Sequence, residues 1–152
     1  MQLGLVLVLF ILLVIVTCVG NYIVPGSKED ATITGSKGFI MQNRTSNYNF
    51  VSTAFSGDFE SPGPSANIVT PGGNYRFEVV AKPFYQTTRA VAQYAVYTTE
   101  GRTIGALSLT FETRNSGLDA RLLVGKPISM TSEASNYKGV IYVTLGDKPP
   151  SA

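Results

Sequence analysis

The chain has 152 residues and a formal net charge of +2, with no His, no Trp and a single Cys. Without His there is no Ser-His-Asp or Cys-His nucleophile system and no imidazole metal site. One Cys excludes an intrachain disulfide framework and a thiolate zinc site, and the singly scattered Lys and Arg lack the clustered basic face of a nucleic-acid binder.

Leu3 to Val19 carries no charge, and the twelve residues from Leu5 to Val16 are all Leu, Val, Ile or Phe. Each contributes roughly −0.3 to −0.6 kcal/mol at a bilayer centre, so the run supplies about −4 to −7 kcal/mol of insertion energy. Continued through Val24, a helix reaches about 33 Å, enough to cross a hydrocarbon core. A buried core helix keeps a polar face, which this run lacks. A cleaved secretory signal needs a basic n-region and a small-x-small site, and neither Met1-Gln2 nor Val19-Gly20-Asn21 supplies one. Ile15-Val16-Thr17-Cys18 loosely resembles a lipobox, which leaves lipidation of Cys18 open beside simple packing. Residues 3–24 therefore predict an uncleaved transmembrane signal-anchor whose partner is the lipid bilayer. Lys28 and Lys37 follow it and would hold the rest cytoplasmic by the charge rule, but long domains translocate largely regardless of charge. The side stays open, with a lean to the extracytoplasmic one.

Residues 25–37 read as a linker, opened by the helix-breaking Pro25-Gly26-Ser27. Short β-prone runs bounded by turn residues follow. They are Gly38–Asn43, Tyr48–Phe55, Tyr75–Lys82, Arg89–Thr98, Thr103–Thr113, Ala120–Val124, Ile128–Thr131 and Gly139–Leu145. In the second, Tyr48, Phe50, Ser52 and Ala54 share a face; in the third, Tyr75, Phe77, Val79 and Ala81 do. Arg89–Thr98 contains alanines that would suit a helix, but Val91, Tyr94, Val96 and Tyr97 favour a strand. In Thr103–Thr113, Leu107, Leu109 and Phe111 alternate with polar or small positions. Residues 147–152 read as a loose tail. Strands at this spacing, without a second helix, predict an antiparallel all-β sandwich of about eight strands over 38–146, preceded by one transmembrane helix.

Several features share a recognisable layout. They are Asn43-Arg44-Thr45, Gly57-Asp58-Phe59 before Pro62 and Pro64, and Ile68-Val69-Thr70-Pro71-Gly72 leading into Tyr75-Arg76-Phe77-Glu78. Ala92-Gln93-Tyr94-Ala95-Val96-Tyr97, Leu107-Ser108-Leu109-Thr110-Phe111 with Asn115-Ser116-Gly117, and the closing Val140–Leu145 complete the layout. This layout resembles the aegerolysin-like family of small, lipid-interacting β-sandwich proteins; the resemblance covers residues 37–146 and implies a lipid-interacting module. Family members are typically rich in Trp, and Phe59 stands where one would be expected. The apolar run over residues 5–17 also resembles the helices of small sporulation membrane peptides from endospore-forming bacteria.

The loop aromatics are the candidate binding instruments: Phe55 and Phe59 around Gly57, and Phe84 and Tyr85 after Pro83. Lys82 and Arg89 flank the latter and would pair with lipid phosphates. The competing reading makes Phe55, Phe59 and Phe84 plugs that close the ends of the sandwich. Asp58 and Glu60 lie two apart without a nucleophile or third ligand nearby, so they read as solvated charges. Asn43-Arg44-Thr45 fits a glycosylation sequon and, in a bacterial protein, reads more simply as a turn. The residue inventory predicts no enzyme and no cofactor. Two functions remain: a membrane-anchored, lipid- or partner-binding module with membrane damage as one outcome of binding, and a structural protein of the cell envelope or spore layers that self-associates through strand edges.

Overall fold

The computed structural model describes residues 2–20 and 35–149. The chain divides into two compact units, Met1–Thr32 and Ile33–Ala152. The first contains α1 (Gln2–Gly20), and its side chains from Gln2 to Leu12 are exposed on every face. Among the described residues no helix is long and apolar enough to cross a membrane. The predicted span runs on to Val24, and residues 21–34, which include the Pro25 exit and most of the predicted linker, lie outside the described residues. So do residues 150–152 of the predicted tail.

The second unit holds nine strands: β1 (Gly35–Arg44), β2 (Tyr48–Gly57), β3 (Ile68–Val69), β4 (Asn74–Ala81), β5 (Thr88–Thr98), β6 (Thr103–Arg114), β7 (Asp119–Gly125), β8 (Met130–Tyr137) and β9 (Val140–Asp147). They form a four-stranded sheet, β4-β1-β9-β8, and a five-stranded sheet, β3-β2-β5-β6-β7. The two sheets stack through their rings, with Phe39 of β1 and Phe77 of β4 standing 4.7 and 4.9 Å from Phe111 of β6. The sandwich is therefore as the alternation predicted. Phe77, Val79 and Ala81 of β4 point inward, as do Ala90, Ala92, Tyr94 and Val96 of β5 and Leu107, Leu109 and Phe111 of β6. Helical packing of 89–98 would have scattered those side chains around an axis, whereas a two-residue period delivers all of them to one side.

Four local features depart from the sequence reading. The sheets are antiparallel except where β9 returns to lie parallel to β1, with Phe39 opposite Ile141. The shared face of Tyr48 to Ala54 is broken by a bulge at Thr53, across which the register steps from Ser52 opposite Tyr94 to Ala54 opposite Gln93. One extra residue reverses the alternation, so Phe50 and Phe55, five apart, both turn to the core. The strand predicted at Ile128–Thr131 begins at Met130 and runs to Tyr137. Ile128 instead lies in a turn closed by Met130 N–H to the Pro127 carbonyl. Finally, Ile68–Val69 forms a two-residue strand beside β2.

Asn43 is fully buried at the end of β1. Its Nδ2 donates to the carbonyls of Tyr48 and Val69 at 2.8 and 2.9 Å, and its Oδ1 accepts from the N–H and hydroxyl of Thr45. Both amide hydrogens are thus committed, and the sequon is a structural turn.

Candidate functional site

Strand direction gives the sandwich two ends. β4 finishes opposite the start of β1, with Ala81 paired to Gly35. The chain therefore enters the sandwich at the end where β4 passes to β5, β6 to β7, and β8 to β9. The connecting segments there are residues 82–87, 115–118 and 138–139. They are neighbours. Ser116 N–H donates to the Lys82 carbonyl at 2.9 Å, and Gly117 sits against the Lys37 side chain. The third adjoins them through the sheet, where β9 begins beside β1 with Ile141 opposite Phe39.

This end exposes large apolar side chains that a folded domain normally hides. Phe84 is 81% exposed, Tyr85 72%, Leu118 80% and Tyr137 60%. Scattered single apolar residues are ordinary on a surface, but here four stand at one end, three on connecting loops and Tyr137 at the last position of β8. Cations are interleaved with them. Arg114 Cζ lies 5.6 Å from the Tyr85 ring centroid, and Lys138 Nζ lies 5.3 Å from that of Tyr137.

The same loops carry all five positive-φ non-glycine residues among those described: Phe84, Tyr85, Asn115, Ser116 and Lys138. Consecutive positive φ values at Phe84 and Tyr85, with Gln86 N–H facing the Pro83 carbonyl at 3.5 Å, make a type I′-like turn. Such positions favour Gly, Asn and Asp, because a larger side chain there costs roughly 1–2 kcal/mol. Two aromatics in these positions hold their rings out from the domain at a cost to its stability.

A groove of about 460 Å³ beside the patch is lined by Thr87, Glu112, Arg114, Leu118, Asp119 and Arg121 among others. Its mixed charges make it polar rather than an apolar slot. Among the described residues no group of three or more Cys, Asp or Glu is placed to hold a metal ion.

The sequence candidates divide between two places. Phe84 and Tyr85 stand at the tip, and half-buried Lys82 opens their loop. Arg89 is exposed on β5, with its Nε 3.9 Å from Glu112, while its N–H donates to the Asp58 carboxylate. Phe55 and Phe59 pack against the core instead. Their rings meet edge-on at 6.1 Å, and Phe55 reaches Tyr94 while Phe59 reaches Phe77 and Phe111. Gly57 makes this packing possible: a Cβ there would lie 2.3 Å from the Arg89 carbonyl, so only glycine lets β2 cross over toward β4. Glu60 follows in that crossing, its N–H bonded to the Glu78 carbonyl. The sequence reading passed over Lys37, Arg114, Leu118, Tyr137 and Lys138, which belong to three distant segments. The Asn115-Ser116-Gly117 and Lys138-Gly139 turns were the only local signals of where those segments bend.

No protein-family model matches the chain, and no curated protein matches it.

Proposed function

We propose that this chain is a membrane-surface binding module, anchored through Leu3–Val24, whose β-sandwich meets the bilayer with its loop end and acts by binding rather than catalysis. The observation that carries the reading is the joint exposure of Phe84, Tyr85, Leu118 and Tyr137 at the end where β1 begins. Interfacial Tyr and Phe place an apolar body at head-group depth while the hydroxyl stays wet. Fully burying one such ring is worth roughly 1.5–3 kcal/mol, so two or three suffice for weak docking beside an anchor. The aegerolysin-like layout over residues 37–146 points the same way, toward a lipid-interacting protein. It is the frame for this reading rather than its warrant, since a fold does not fix a function. The half-buried Phe55 and Phe59 contribute rigidity beneath the patch. Vesicle co-sedimentation of residues 33–152, the second compact unit, tests the reading. Sedimentation that Phe84→Ser and Tyr85→Ser abolish supports it, and no sedimentation with any lipid mixture refutes it.

One observation favours an envelope or spore-layer assembly role. In β8 every residue from Thr131 to Tyr137 is exposed, the pairing with β9 is unbroken, and Glu133 is its only charge. Natural edges are usually guarded by charges, prolines or bulges, so this one is open to a further strand. The β4 edge is not, because Asp58 and Glu60 already bond to its backbone at Val80 and Glu78. Antiparallel pairing of β8 with a second copy would turn the two loop ends in opposite directions, away from a common bilayer. Sedimentation equilibrium separates the two readings. An association that Ala134→Pro removes supports assembly, and a strict monomer excludes it.

A further inference from the structure

We infer that the loop end selects anionic bilayers, reading lipid phosphates with Lys37, Arg114 and Lys138 alongside the aromatic patch. The inference rests on the membrane-surface reading above and adds the chemical class of lipid.

Among the described residues only Arg76 and Arg89 form ion pairs, with Glu78 and Glu112. Lys37, Lys82, Arg114 and Lys138 make none. The carboxylates near them are few. Asp58 is occupied by the Arg89 N–H, Glu112 faces Arg89, and Asp119 stands across from Arg114 in the β6–β7 register. Lys37, Lys82, Arg114 and Lys138 therefore outnumber Asp119, the carboxylate opposite them, and the tip keeps a net positive charge.

Its placement is specific. Each exposed tyrosine of the patch has one cation over its ring, Arg114 at Tyr85 and Lys138 at Tyr137. A ring that enters the interface therefore carries its cation to the depth of the phosphates. Guanidinium and ammonium groups differ there. Arg114 offers a planar fork of N–H donors that matches a phosphate bidentately, whereas Lys138 acts as a compact charge. Lys37 stands against Gly117, three residues past Arg114, on the strand that runs beside β9. A zwitterionic surface would offer these groups phosphates already neutralised by their own amines, whereas an anionic leaflet supplies net negative potential. Near such a leaflet each basic side chain is worth roughly fivefold in affinity.

The full chain reports this directly. It has no Trp, so Tyr85→Trp introduces a single indole at the tip, and Phe84→Trp supplies a second, independent reporter. Each variant is placed in nanodiscs of phosphatidylcholine alone or mixed with phosphatidylglycerol, with lipids carrying a head-group-depth quencher. The expected result is a blue-shifted, quenched indole in the mixed discs only. The docking should weaken about fivefold with each of Lys37→Gln, Arg114→Gln and Lys138→Gln, and should be lost at high salt, where the screening length falls to about 3 Å. Equal quenching in both discs, unaffected by salt, overturns the anionic selection and leaves the membrane-surface reading standing. No quenching in either disc overturns both.

Discussion

The hydroxyls of Thr88 and Thr113 lie 2.6 Å apart, buried directly beneath the exposed loops. Thr88 also reaches the Val80 carbonyl closely, while Thr113 stands 3.3 Å from it. The short contacts are satisfied if Thr113 donates to Thr88 and Thr88 donates to Val80. This hydroxyl chain ties β5 and β6 of one sheet to β4 of the other, at the point where the chain leaves β4 for Phe84 and Tyr85. It forms a floor on which strained turns can be held.

Removing one member should therefore loosen the floor. Thr113→Val leaves the buried Thr88 hydroxyl with one partner fewer and should cost about 1–3 kcal/mol. Urea denaturation of residues 33–152 measures it, and amide exchange should speed up in 82–87 before it does in the sheet centres.

Phe84 and Tyr85 should behave oppositely to Phe55 and Phe59. Tyr85→Asn places a residue tolerant of positive φ in the turn, so it should stabilise the domain by roughly 0.5–1.5 kcal/mol while weakening vesicle binding about tenfold or more. Phe59→Ala should instead cost about 2–4 kcal/mol, because its ring packs on Phe55, Phe77 and Phe111. A thermal melt and a vesicle titration on each variant check the contrast.

Asn43→Ala should be among the most damaging single changes, at about 2–4 kcal/mol, since it takes one partner each from the Val69 carbonyl, the Thr45 N–H and the Tyr48 carbonyl, leaving the last only its longer contact with the Thr45 hydroxyl. Denaturant unfolding measures the loss. Where the protein is made in a glycosylating host, native material should carry no glycan at Asn43, which intact mass reads directly.

Tyr94 gives the domain an alkaline limit. Burial pushes its phenol far above the ordinary value of 10.0, a rise that the hydrogen bond with Asn67 only partly offsets. The folded state then holds a proton that the unfolded chain releases above about pH 10. Below that pH the contribution is fully present. Above it, stability should fall by up to about 1.4 kcal/mol per pH unit until the folded phenol itself titrates. Tyr94→Phe should remove this part of the slope, as denaturation midpoints at increasing pH would show.

The sandwich was legible because β4, β5 and β6 alternate cleanly, and Leu107, Leu109 and Phe111 could only face a core together. β8 was misplaced because Ser132, Glu133, Ser135 and Asn136 show no period when neither face is covered. Its one buried residue, Met130, drew the prediction toward its own neighbourhood. The bulge at Thr53 was hidden too, since an inserted residue changes which side of the strand is apolar without changing composition. The candidate site was half legible. Phe84 and Tyr85 stand together after a proline, and one loop names them. Leu118 and Tyr137 join them only through strand order, and the parallel return of β9 beside β1, which brings Lys138 to the same end, leaves no local mark in the sequence.

The most direct test of the proposal that the loop end meets a bilayer is paramagnetic relaxation from a head-group-chelated lanthanide lipid, read residue by residue on isotope-labelled residues 33–152 bound to vesicles. Ile128 is an internal control, because it is 87% exposed at the opposite end. The expected result is attenuation of residues 82–87, 115–118 and 137–139, with 70–74, 99–102 and Ile128 unaffected. Attenuation centred on Ile128 and the loops beside it, or spread evenly along β8, would contradict the account.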